Sequence, residues 1–135
     1  MPTEPAPPEA MAEHAAQLNA IMLNEVSAPS DYVRIARLAQ ALVIGPAFGV
    51  EDLQRAALDA VRATSPRCPV VFDADALTLL GPLRAKLDPR DVLTPHVGEF
   101  KRLFPGLLEA APSRIEAARA AAAQAGCTLL LKGVD

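Results

Sequence analysis

The chain has 135 residues, enough for one domain with a buried core, and its 51% hydrophobic and 21% charged residues are a globular balance rather than a disordered one. A formal net charge of −3, without any cluster of Lys and Arg, excludes the basic footprint of a nucleic-acid binder. Aromatic residues make up 4% and Trp is absent, so composition predicts a core of Ala, Leu, Val and Ile. Cys68 and Cys127 lie far apart without CxxC spacing and read as two buried thiols at strand starts, not as a disulfide or metal site. The opening Met1-Pro-Thr-Glu-Pro-Ala-Pro-Pro-Glu-Ala10 lacks the basic and apolar regions of a signal peptide. Apolar runs stop after about five or six residues, far short of a membrane span. The expected address is the cytoplasm.

Residues 1–9 carry four prolines and two glutamates, and residues 1–10 are expected to be a disordered lead-in. Met11 to Ser30 fits either a helix or a helix followed by a short strand over Ala20 to Leu23. From Asp31 the pattern sharpens. Asp31 is placed to cap a helix carrying Val33, Ile35, Ala36, Leu38 and Ala39, and Ala41 to Ile44 reads as a strand. After the turn Gly45-Pro-Ala-Phe-Gly49, Glu51 and Asp52 open a second helix at the end where negative charge suits its dipole. Leu53, Ala56, Ala57, Ala60 and Val61 form its expected buried stripe.

Pro69 to Phe72 is the next strand, ending in Asp73-Ala-Asp75. A short helix around Ala76 to Leu80 leads through a Gly-Pro turn to the loop Asp88-Pro-Arg90. A strand over Asp91 to Thr94 runs into Pro95-His-Val-Gly-Glu99, and a helix then carries Phe100, Leu103 and Phe104. Ser113-Arg-Ile-Glu116 is a capping box for an Ala-rich helix that Gly126 ends, and Cys127 to Leu131 forms a last strand before Lys132-Gly133. Short continuous apolar strands separated by helices are the signature of a buried parallel sheet with covering helices. The class is α/β, with residues 11–135 belonging to one domain.

In such a sheet ligands collect beyond the carboxyl ends of the strands. Four segments lie there. Gly45 and Gly49 let a ligand approach the backbone, where free amides can receive a phosphate, or they simply make a tight turn. Asp73 can orient a ligand or hold a Mg²⁺-bound water, while Asp75 is better placed to cap the following helix. His96, stiffened by Pro95 and relieved by Gly98, stands three residues before Glu99. It suits a hydrogen bond to a polar substrate rather than a metal, because only His14 remains as a further histidine, or it is simply a surface histidine at a helix start. Lys132, followed by Gly133, can reach a nucleotide phosphate or face solvent. These residues name no catalytic group and no metal site.

Together the four segments resemble those of the NAD(P)H-hydrate dehydratases. The matching pieces are Ile44-Gly-Pro-Ala-Phe-Gly49, Val70-Val-Phe-Asp-Ala-Asp-Ala-Leu77, Val92-Leu-Thr-Pro-His-Val-Gly-Glu-Phe-Lys-Arg-Leu103 and Leu131-Lys-Gly133, with Pro8-Glu-Ala-Met11 similar to a further family segment. The resemblance implies a ribokinase-like parallel sheet, of which the chain carries the central part. It implies a carbon–oxygen lyase that uses ADP or ATP, with Mg²⁺, to dehydrate the S epimer of hydrated NADH or NADPH. By the same resemblance Gly45, Gly49, Asp73, His96 and Glu99 meet the substrate side, and Lys132 and Gly133 begin the nucleotide segment.

Two departures accompany the resemblance. Ala47 stands where the family usually has glycine, and the family's Gly-x-Gly-Asp, with its anion hole and base, does not occur among these residues. The chain by itself is therefore expected to turn over negligibly, and to self-associate where sheet surface is left uncovered. Two other readings stand beside the dehydratase: a vitamin-precursor kinase of the same fold, and a non-catalytic remnant of such a domain.

Overall fold

The computed structural model describes residues 4–6 and 23–133, which fall into two compact units, one of residues 1–42 and 52–68 and one of residues 43–51 and 69–135. The fold is α/β. In the first unit, β1 (Glu4–Ala6) pairs in parallel with β2 (Leu23–Glu25). Residues 4–6 of the expected lead-in form this three-residue strand, which tolerates Pro5 because so short a pairing needs few backbone donors. The rest of the lead-in, and the helix expected after Met11, lie outside the described residues.

Helix α1 (Pro29–Leu38) starts with Pro29 in its first turn, where a missing N–H costs nothing. Its N-cap is Ala28, not Asp31. Asp31 sits in the first turn and reaches back, its carboxylate accepting the amides of Ser27 and Ala28 at 3.0 Å each. Helix α2 (Asp52–Ala63) packs on α1 and buries Ala57, Leu58 and Val61. The expected stripe is therefore rotated: Leu58 is inside, while Leu53 is exposed.

The second unit is built on a sheet with strand order β3 (Leu42–Ile44), β4 (Val70–Phe72), β5 (Val92–Leu93) and β6 (Thr128–Leu129). β4 and β5 are parallel with Val71 opposite Val92, and β5 and β6 are parallel with Val92 opposite Thr128. Between the strands come α3 (Asp75–Leu80), α4 (Val97–Leu103), α5 (Leu107–Ala110) and α6 (Arg114–Ala125). The Ser113 hydroxyl accepts the Glu116 amide at 3.1 Å, and Gly126 closes α6 in the left-handed conformation. Every fourth residue of α6 (Ala117, Ala121, Ala125) is buried, so the helix packs close with small side chains.

The core departs from the all-aliphatic expectation. Phe72, Phe100 and Phe104 are among its largest fully buried side chains, and the rings of Phe100 and Phe104 stand 5.2 Å apart at a 49° tilt. Scarce aromatics are concentrated here because α3, α4 and the strands enclose a volume that Ala and Val cannot fill. Cys68 is buried and Cys127 half-buried; neither forms a disulfide.

Candidate functional site

The carboxyl ends of the four strands carry all the residues singled out from the sequence, and backbone hydrogen bonds step across them. The Asp73 amide donates to Ile44 O at 3.0 Å, the Thr94 amide to Phe72 O at 3.2 Å, and the Lys132 amide to Pro95 O at 2.9 Å. Four segments distant in sequence thereby become one continuous edge. Gly45, at φ +140°, lies so close to Asp73 that a Cβ there would run into the Asp73 carbonyl oxygen. Glycine is required at this crossing.

Asp73 is the polar centre of the edge. Its carboxylate accepts from Lys132 Nζ at 3.1 Å, joining the ends of β4 and β6 across β5. Partial burial pushes the Asp73 carboxyl up, but hydrogen bonds from Lys132, Thr94 and the Ala74 amide, with the lysine's charge, outweigh it and hold the group below its usual range. The pair is open to water, with the Lys132 side chain 44% and that of Asp73 28% exposed.

His96 is the N-cap of α4. Its Nδ1 accepts the Glu99 amide at 3.2 Å, while the Glu99 carboxylate accepts the His96 amide at 3.0 Å. Acceptance at Nδ1 makes Nε2 the donor nitrogen of the ring; it stands 3.6 Å from Glu99 Oε1, on a side chain that is 55% exposed. Glu99 is buried and committed to holding this cap, so its role here is to fix the histidine. Among the described residues, no group of three or more His, Cys, Asp or Glu side chains could hold a metal ion; His14 lies outside them.

Two amides of the Gly45–Gly49 turn are engaged, as the tight-turn alternative requires: the Phe48 amide donates to Gly45 O at 3.0 Å and the Gly49 amide to the Asp75 carboxylate at 2.8 Å. Asp75, expected to cap α3, is instead the first residue of that helix, behind an Ala74 N-cap, and its carboxylate reaches the turn 26 residues earlier in the chain. Sequence reading also missed the backbone at Ala74, which has φ +48° and ψ −121°. Ala47, the departure from the family's glycine, takes φ +55°, the left-handed conformation that glycine would adopt more readily.

A family model described as NAD(P)H-hydrate dehydratase matches residues 5–135. A bifunctional NAD(P)H-hydrate repair enzyme from Corynebacterium glutamicum is 40% identical over 124 residues, covering 82% of this chain. Among solved structures, a ribokinase-like superfamily protein from Enterococcus faecalis superposes over 97% of the chain at a TM-score of 0.81 and 22% identity, a likeness of fold. An ADP/ATP-dependent NAD(P)H-hydrate dehydratase from Bacillus subtilis, co-crystallised with ATP and Mg²⁺, covers 93% at a TM-score of 0.67 and 27% identity. The chain spans 13–21% of the length of the curated relatives it matches, and 46% and 44% of these two solved chains. With this fold and these segments, the chain belongs to the NAD(P)H-hydrate dehydratase family.

Proposed function

We propose that the carboxyl edge of the sheet binds hydrated NADH or NADPH and an adenine nucleotide, for the ADP- or ATP-dependent dehydration that restores the reduced cofactor. The observation that carries this reading is the exposed His96 ring, fixed by its reciprocal cap with Glu99, on the same edge as the Asp73–Lys132 pair. His96 donates to the hydrated dinucleotide beside the Gly45–Gly49 turn. Lys132 leaves Asp73 to meet the nucleotide phosphates, and Gly133 lets that segment pass close to them. Asp73 would be the carboxylate nearest to hold a Mg²⁺ carried on those phosphates, whose charge such an ion would offset.

In the reaction, the hydrate's hydroxyl oxygen bonds to the terminal phosphorus of the nucleotide, and the bond to AMP or ADP breaks. The hydrate's original carbon–oxygen bond then breaks, phosphate leaves with that oxygen, and loss of a proton restores the double bond. Groups that bind substrate equally before and during reaction improve affinity more than rate. Rate comes from amides facing the transferred phosphoryl and from a base on the hydroxyl. The family's Gly-x-Gly-Asp supplies both and does not occur among these 135 residues, so the residues present account for binding in the cytosol and for recognition, with no nucleic acid or membrane as partner.

The test is to incubate the chain with hydrated NADPH, Mg²⁺ and ADP or ATP, following both binding and the return of reduced-nicotinamide absorbance. Saturable binding with negligible turnover is expected. Absence of binding defeats the reading; turnover matching an intact family member and cancelled by His96→Ala would place the base within these residues.

A further inference from the structure

We infer that Asp75 is a positioning residue of this site: by accepting the Gly49 amide, it holds the Gly45–Gly49 turn in the conformation that the hydrated dinucleotide meets. The inference rests on the proposed function, which sets the dinucleotide beside that turn. Its own footing is geometric. The Gly49 N–H to Asp75 Oδ2 bond, 2.8 Å long, is the tie between the turn and the start of α3 through a side chain. Each side of the tie carries an alanine at positive φ, Ala47 on the turn at +55° and Ala74, next to Asp75, at +48°. Non-glycine residues persist at positive φ only where their surroundings hold them there, and the carboxylate joins the two strained stretches.

A purely helical role does not account for this arrangement. Asp75 gives no side-chain cap to α3, whose N-cap is Ala74. A carboxylate within the first turn already suits the helix dipole without reaching across to the turn. The reach commits one oxygen to an amide at the mouth of the edge, where a displacement of the turn moves the backbone against which substrate would lie.

The experiment compares wild type, Asp75→Ala and Asp75→Asn as the full 135-residue chain. Three readouts are taken: hydrated NADPH affinity, ADP affinity, and the Gly49 amide resonance with its hydrogen-exchange rate. Asp75→Ala is expected to weaken hydrate binding on the order of tenfold, to leave ADP affinity within about twofold, and to shift the Gly49 amide and speed its exchange. Asp75→Asn keeps an acceptor oxygen and is expected to recover most of the hydrate affinity and the slow exchange. Equal hydrate affinity in wild type and Asp75→Ala overturns the inference, as does parallel loss of hydrate and ADP affinity in both variants. If wild type binds no hydrate, the functional reading falls by itself; a Gly49 amide unmoved by Asp75→Ala then overturns the positional claim separately.

Discussion

Two aspartates close opposite ends of the same pair of strands. Asp91 precedes β5, is fully buried, and its carboxylate accepts the Val70 amide at 3.0 Å where β4 begins. Asp73 follows β4, remains open to water, and pairs with Lys132. Both bind their neighbours, yet Asp91 satisfies a backbone donor that no water reaches, while Asp73 and its lysine can exchange partners without burying a charge. The amino end of the sheet is closed structure. The carboxyl end is held in a state that a charged ligand can enter, which is the general disposition of open α/β sheets.

Substitutions at the two ends should therefore fail differently. The largest effect is expected at Gly45→Ala, where an added methyl meets the Asp73 carbonyl at a φ that alanine avoids. Denaturant unfolding should show a loss upwards of about 3 kcal/mol, and a smaller loss would mean that the strand ends are looser than described. Asp91→Ala comes next. It leaves the buried Val70 amide without this acceptor and should cost about 1–3 kcal/mol, while the chain that remains folded keeps its ADP affinity. If ADP affinity falls with it, the separation of the two ends is wrong.

Lys132→Ala should reverse that pattern. An exposed pair contributes little to stability, so unfolding should move by less than about 1 kcal/mol, whereas ADP affinity should fall about tenfold or more. Ser113→Ala, remote from both ends, should cost about 1 kcal/mol through loss of the α6 cap and leave ligand binding unchanged.

The smallest expected effect is on pH dependence. Because the folded Asp73 carboxyl lies below its ordinary value of 3.8, its contribution to stability is complete above that value and is lost as pH falls through the lower folded one. Asp73→Asn should flatten that acid limb. Cys127 has the opposite sign. Burial, with Asp91's charge, raises its thiol to about 11, so the stability it gives is present below the ordinary value of 9.0 and disappears as pH rises through 11. Alkylation of Cys127 at neutral pH should be correspondingly slow, and rapid alkylation would show that the thiol is less buried than described.

The four strands of the second sheet and most helices were legible in the sequence because buried parallel strands read as short apolar runs and Ser113 and Gly126 punctuate a helix locally. What was not legible depends on distant partners. The position of Asp75 beside Asp73 suggests a helix cap, and only the folded chain brings Gly49 to its carboxylate. Likewise Asp91 looked like an ordinary strand start until Val70 stood beside it. The stripe of α2 was misjudged because alternative apolar faces of an Ala-rich helix are nearly equivalent until packing on α1 selects one. His96 and Glu99 were read as neighbours on one face, and the folded chain makes of them a reciprocal cap.

The central claim is that the carboxyl edge recognises the hydrated dinucleotide through His96. The direct measurement is calorimetric titration of hydrated NADPH into wild type and His96→Ala, with circular dichroism to compare helix content. Affinity should fall about tenfold in the variant at unchanged helix content, since one hydrogen bond to the ligand is removed. Equal affinity in the two chains would contradict the claim.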